Sequence, residues 1–217
     1  MFSLKCMIKG VAMLPVLAAL GLANAGSYED FFNAIQQDNP VKINELLVRG
    51  FDPNTVDSKG QTGLFIALNE PSPKTVRILI DWAATDVNRL NANGESVLML
   101  AALKGQRELA EKLIKKGADV NKTGWTPLHY AASGGHIAII NLLLENSAYI
   151  DAESPNGSTP LMMAAMYGTP AAVKLLLQEG ADATIKNQQG LTALQFAEQA
   201  SQPDSVNAIA SLFRGKR

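Results

Sequence analysis

This 217-residue chain is short of the residues that do chemistry: it has one cysteine and two histidines. A lone cysteine cannot close an internal disulfide or build a cysteine metal site, and Cys6 stands so near the start that it is expected to be lost with a leader. Basic excess is missing too, with 19 Lys and Arg against 20 Asp and Glu. That balance argues against nucleic acid as a partner. None of the motifs G-x-S-x-G, H-E-x-x-H or G-x-x-x-x-G-K-[ST] occurs. The acidic residues Asp52, Asp86, Asp119 and Asp182 are spread far apart rather than paired. No catalytic residue, metal ligand or cofactor is therefore expected.

The start of the chain has a character of its own. "MFSLKCMIKG" carries Lys5 and Lys9 and no acid, an apolar run follows from Gly10 to Ala23, and "ANA" closes it at Ala23 to Ala25. A basic start, a short apolar core and small residues at −3 and −1 make the plan of a secretory signal peptide. The apolar run is shorter than the ~20 residues a membrane span needs, and Pro15 interrupts it. An uncleaved membrane anchor is the competing reading. Cleavage is expected after Ala25, leaving residues 26–217 as one domain with a net charge of −3 and no membrane span. No cysteine follows the cut to take a lipid.

What is present is repetition. "GQTGLFIAL" (60–68), "GESVLMLAA" (94–102), "GWTPLHYAA" (124–132), "GSTPLMMAA" (157–165) and "GLTALQFAE" (190–198) align, with lead glycines spaced by 34, 30, 33 and 33 residues. A second phrase recurs between them: "LLVRGFDPN" (46–54), "LIKKGADVN" (113–121), "LLENSAYID" (143–151) and "LLQEGADAT" (176–184). These phrases resemble the ankyrin-repeat family, whose unit of about 33 residues carries a T-P-L-H-x-A signature. The signature is complete only at Thr126–Ala131.

The resemblance implies an all-α solenoid of about six helix-turn-helix units with short β-turn fingers. The units are expected near 27–57, 58–88, 89–121, 122–151, 152–184 and 185–217, the two end units acting as caps. Thr126 and Thr159 stand where a helix begins and can satisfy its orphan amides. Pro127 and Pro160 suit the first turn. Gly105, Gly135 and Gly168 are expected to be left-handed helix ends. Leucine pairs such as Leu143–Leu144 make the apolar stripe of the second helix. In the second unit, two prolines in "NEPSPKT" (69–75) replace the inter-helix glycine, so a longer or stiffer bend is expected there.

"GWTPLHYAASGGH" (124–136) holds both histidines. His129 and His136 are seven residues apart, and the resemblance gives each a structural place. Function is expected on the surface instead. The family binds proteins through fingers and first helices, and by register Leu103, Lys104, Trp125, Ser133, Met166, Tyr167 and Leu191 belong to that face. Glu95 flanks a lead glycine as Trp125 does. Leu103, Trp125, Met166, Tyr167 and Leu191 form an apolar run of the kind enriched at interfaces. A protein partner is expected, bound by a monomer in a Gram-negative periplasm. Exported bacterial relatives of this kind include accessory factors of catalase and immunity partners of secreted lipases. The alternative is a periplasmic carrier of a small ligand or metal, which would need a deep polar pocket.

One finger breaks the pattern. The count from the aspartate position of the second phrase to the next lead glycine is eight in four fingers, but five from Asp119 to Gly124. This finger should be blunt. One reading is tolerated drift in a surface loop; the other is a notch beside Trp125 and Leu103 through which a protruding element of the partner could reach the first helices.

Overall fold

The computed structural model of the protein describes residues 26–214; the expected leader and its cut lie outside the described residues. Twelve helices follow one another as six antiparallel pairs among the described residues. They are α1 (26–36) with α2 (Pro40–Val48), α3 (Gly63–Asn69) with α4 (Pro73–Asp81), α5 (Val97–Leu103) with α6 (Arg107–Lys115), α7 (Pro127–Ser133) with α8 (Ile137–Glu145), α9 (Pro160–Tyr167) with α10 (Pro170–Gln178), and α11 (Ala193–Gln199) with α12 (Pro203–Arg214). The first helices α3, α5, α7, α9 and α11 form one layer, and α6, α8, α10 and α12 lie behind them. The one strand-like feature described is an antiparallel bridge between Val56 and Thr62. No described helix is long and apolar enough to cross a membrane.

Each first helix starts where a Ser or Thr holds an extended backbone and offers its hydroxyl. Thr62, Ser96 and Thr159 accept the amides of Phe65, Met99 and Met162 at 3.2, 3.2 and 3.4 Å. The residue three along answers back. Met99 and Met162 sulfurs lie 3.3 and 3.4 Å from the amides of Ser96 and Thr159, and Gln195 Oε1 accepts the Thr192 amide at 2.8 Å. These are reciprocal caps built with whatever acceptor each unit has.

Packing is tight because small residues lie between the layers. Leu98, Leu128, Leu161, Leu113, Leu143 and Leu176 are buried together with Ala101–Ala102, Ala131–Ala132 and Ala164–Ala165. Burying each leucine contributes roughly 1.5–3 kcal/mol. Gly63 takes the place that proline has in later units because a Cβ there would meet the Phe31 ring at 2.5 Å.

Two local expectations change. Gly168 has φ −84°, so it is not a left-handed cap. It is glycine because a Cβ would meet the Ala132 carbonyl oxygen of the neighbouring unit at 2.3 Å. The bend at "NEPSPKT" has the common length, with three residues joining α3 to α4 as three join α5 to α6 and α7 to α8. The Ser72 hydroxyl donates to the Ile35 carbonyl at 2.8 Å. Asp38 supplies the missing helix cap from the preceding unit, accepting the Lys74 and Thr75 amides at 3.0 and 2.8 Å. A side chain from next door does what the glycine turn does elsewhere.

Side-chain amides join the units at the edge. Asn54 donates to the Ala84 carbonyl and accepts the Asp86 amide; Asn88 does the same with Gly117 and Asp119, and Asn121 with Ser147 and Tyr149. At the next joint the residue is Asp151, which accepts the Asp182 amide at 3.0 Å but, as a carboxylate, has no proton to donate. Burial raises the Asp151 pKa above the usual carboxylate value, and the nearby Asp182 charge adds to it.

Candidate partner-binding surface

Four of the five fingers close on themselves in the same way. The amides of Asp57, Asn91, Ser154 and Asn187 donate to the carbonyls of Gln61, Glu95, Ser158 and Leu191 at 2.9–3.0 Å. Each closing side chain accepts further amides inside its own turn, as Asn91 Oδ1 does from Asn93 and Glu95. In the fourth unit the residue three before the lead glycine is Asn121, already committed to the edge ladder. One asparagine cannot serve both positions. No backbone hydrogen bond closes residues 119–124 among those described, so this finger is blunt.

The consequence is visible from the lead glycines. A Cβ on Gly60 would lie 3.4 Å from Ala92 of the next finger, one on Gly124 3.6 Å from Pro155, and one on Gly157 3.3 Å from Asn187. Gly94, which faces the short finger, has nothing within 4 Å. The row of fingers is therefore open between the finger at Gly94 and the short finger at Gly124.

Glu95 stands at the edge of that opening. Its Oε2 accepts the Asn91 side-chain amide at 2.8 Å, and its Oε1 accepts the Tyr130 hydroxyl at 3.1 Å. Burial, reinforced by the Glu95 charge, pushes the Tyr130 pKa up to about 12, so the phenol remains a neutral donor. Trp125 is half-buried, its ring edge-on to His129 with centroids 5.2 Å apart.

Both histidines belong to the scaffold. His129 is 1% exposed. Its Nε2 lies 2.9 Å from the Ser158 carbonyl, which can only accept, so that nitrogen carries the proton. Nδ1 is left as the acceptor for the Thr126 amide at 3.1 Å and hydroxyl at 2.9 Å. Burial lowers the His129 pKa to about 4, against the pull of its carbonyl bonds. His136 Nε2 donates to the Leu103 carbonyl at 2.9 Å, joining the fourth unit to the end of α5.

The surface residues read from the sequence are not equivalent. Leu103 and Tyr167 are open, at 42% and 63% exposure. Trp125, Ser133, Met166 and Leu191 are half-buried, and the Ser133 hydroxyl donates to the Tyr130 carbonyl. Lys104 is exposed, yet its ammonium donates to the Leu68 and Asn69 carbonyls at 3.2 and 2.8 Å, capping α3. Tyr130 was not among the sequence candidates. The signal that finds it is register, because Tyr130 follows the signature histidine and faces the finger of the preceding unit. Among the described residues no group of three or more His, Cys, Asp or Glu side chains could hold a metal ion.

Comparison with known proteins agrees with this geometry. The family profile "Ankyrin repeats (3 copies)" matches residues 31–123, 84–154 and 147–215, and the chain belongs to the ankyrin-repeat family. Ankyrin repeat and SAM domain-containing protein 6 of Rattus norvegicus is 36% identical over 109 residues, 48% of this chain and 12% of its own length. The B-cell lymphoma 3 protein homolog of Mus musculus is 30% identical over 126 residues, 55% of this chain and 28% of its own. The chain thus matches only a minor part of these relatives. Among solved structures, the human ASB11 ankyrin repeat domain superposes with a TM-score of 0.73 at 25% identity, over 83% of this chain and 82% of that one. A chain from the complex of a predatory endopeptidase of Bdellovibrio bacteriovorus with an immunity protein gives 0.72 at 30% identity, over 84% and 97%. Ankyrin repeats are protein-interaction modules, and the fold is typically non-enzymatic.

Proposed function

We propose that this chain is a non-enzymatic module of the periplasm that holds a protein partner on the face made by its fingers and first helices. The observation that carries the reading is the exposure of Leu103 and Tyr167, large apolar side chains at the ends of α5 and α9 that the fold leaves uncovered. Trp125, Met166 and Leu191 extend the apolar character of that face, and Lys104 and Ser133 supply polar positions beside it. Export rests on the leader-like residues 1–25.

Of the two roles that the family resemblance implies, immunity partner of an exported enzyme is favoured over catalase accessory. The support is the similarity to a chain from an endopeptidase–immunity protein complex. Both chains of such a complex are engaged in protein binding, so a fold of this size serves that purpose there.

Photocrosslinking in the host tests the reading. A benzoylphenylalanine placed at Leu103 or Tyr167 should capture one and the same protein, while one at Val48 on α2 should not. Crosslinks from Val48 alone, or from none of the three, would overturn the binding face. N-terminal sequencing of the exported protein should begin at Gly26; a start at Met1 would remove the periplasmic assignment.

A further inference from the structure

The opening beside the short finger at 119–124 has a chemical character as well as a shape. The Glu95 carboxylate is held by two donors from two different units, the Asn91 amide and the Tyr130 hydroxyl. Neither donor is charged, and no ion pair includes Glu95 among the described residues. Trp125 occupies the equivalent position one unit along and is half-buried. A carboxylate fixed in direction, one unit from a half-buried indole at the same register, suits a guanidinium better than any other side chain. Its edge takes two parallel hydrogen bonds from the carboxylate, and its flat face stacks on an aromatic ring.

Resting on the protein-binding reading above, we infer that the opening seats a loop of the partner that presents an arginine, its guanidinium on Glu95 and against Trp125. A finger of ordinary length would close this seat. With three more residues its tip would reach Gly94, as Ala92 reaches Gly60 one unit earlier. The deletion at 119–124 and the uncompensated carboxylate beside it then serve one purpose.

The probe is a phage-displayed library of short disulfide-closed loops, selected on the full chain. Enriched loops should carry arginine at one constant position, and replacing it with citrulline should weaken binding at least tenfold. Glu95→Gln should cost at least tenfold as well, with little further loss when the citrulline loop is used. Inserting "LNA" after Lys122, which restores the regular finger count, should remove binding of the same loops at an unchanged melting temperature. If the insertion disturbs folding, the nearly isosteric Glu95→Gln arm stands by itself. Loops without a constant basic residue, or loops that bind the Glu95→Gln protein as tightly as the wild type, overturn the inference. So does a library that yields no binder. In each case the protein-binding reading survives unless the crosslinks at Leu103 and Tyr167 also fail.

Discussion

Between the fifth and sixth units, Gln188 reaches back to the preceding finger twice, its backbone amide to Asn156 and its side chain to Pro155, at 3.0 and 2.8 Å. Between the third and fourth units, a Cβ added at Gly94 would meet nothing within 4 Å. Underneath, the two places are alike: α5 packs on α7 as α9 packs on α11, and Leu98, Leu128 and Leu161 are buried with the alanines of these helices. The contrast separates two layers. Stability lies in the helices and their caps, which tolerate little, whereas the fingers vary without disturbing them and so can carry specificity.

The comparison breaks hardest in the helical layer. Gly168→Val would drive a side chain into the Ala132 carbonyl and the Ala164 backbone, both already within 2.9 Å of an added Cβ. Overpacking against backbone costs about 3 kcal/mol, and chemical denaturation should read that loss.

His129 ties the two layers together and gives the next largest effect. Its pKa is near 4 in the folded chain, against 6.5 for an unburied histidine, so below pH 6.5 the unfolded chain binds the proton and the folded chain does not. Stability present above pH 6.5 should fall by about 3 kcal/mol as pH drops to 4. His129→Met, which copies Met99 and Met162, should remove that pH dependence. It removes one of the two donors to the Ser158 carbonyl, leaving the Ser154 amide, at a cost of about 1 kcal/mol at pH 7.5. Urea titrations at several pH values test both statements.

Asp151→Asn sharpens the contrast in the opposite direction by supplying the missing donor at the last edge joint. It should stabilise the chain by about 1 kcal/mol, with slower amide exchange at Asp182. The smallest expected effect on stability belongs to the "LNA" insertion after Lys122. Melting should shift by no more than the ~0.5 kcal/mol of a surface change.

Much of this was legible as counting. The glycine spacing, the capping residues and the three-residue deletion can be read without coordinates, because each depends on local position along one chain. What counting missed depends on neighbours about one repeat away. Tyr130 and Glu95 meet across 35 residues, Lys104 reaches the end of α3, and Asp38 caps α4 from the preceding unit. Gly168 looked like a cap because Gly105 and Gly135, at comparable positions, are left-handed; only the approach of the Ala132 carbonyl distinguishes it. The bend at Pro71 and Pro73 looked long because its compensating aspartate lies far away in sequence.

The sulfur caps of α5 and α9 make the chain its own oxidation gauge. Met99 and Met162 are buried, whereas Met163 and Met166 are half-buried nearby. Peroxide reaches a thioether only where solvent does, so the second pair oxidises from the folded state and the first only when its helix opens. The oxidation rates of Met99 and Met162, each set against that of the half-buried pair and resolved by fragment mass, then report the opening of the third and fifth units separately. A partner seated between them should slow oxidation of Met99 and Met162, giving a measure of occupancy that needs no label.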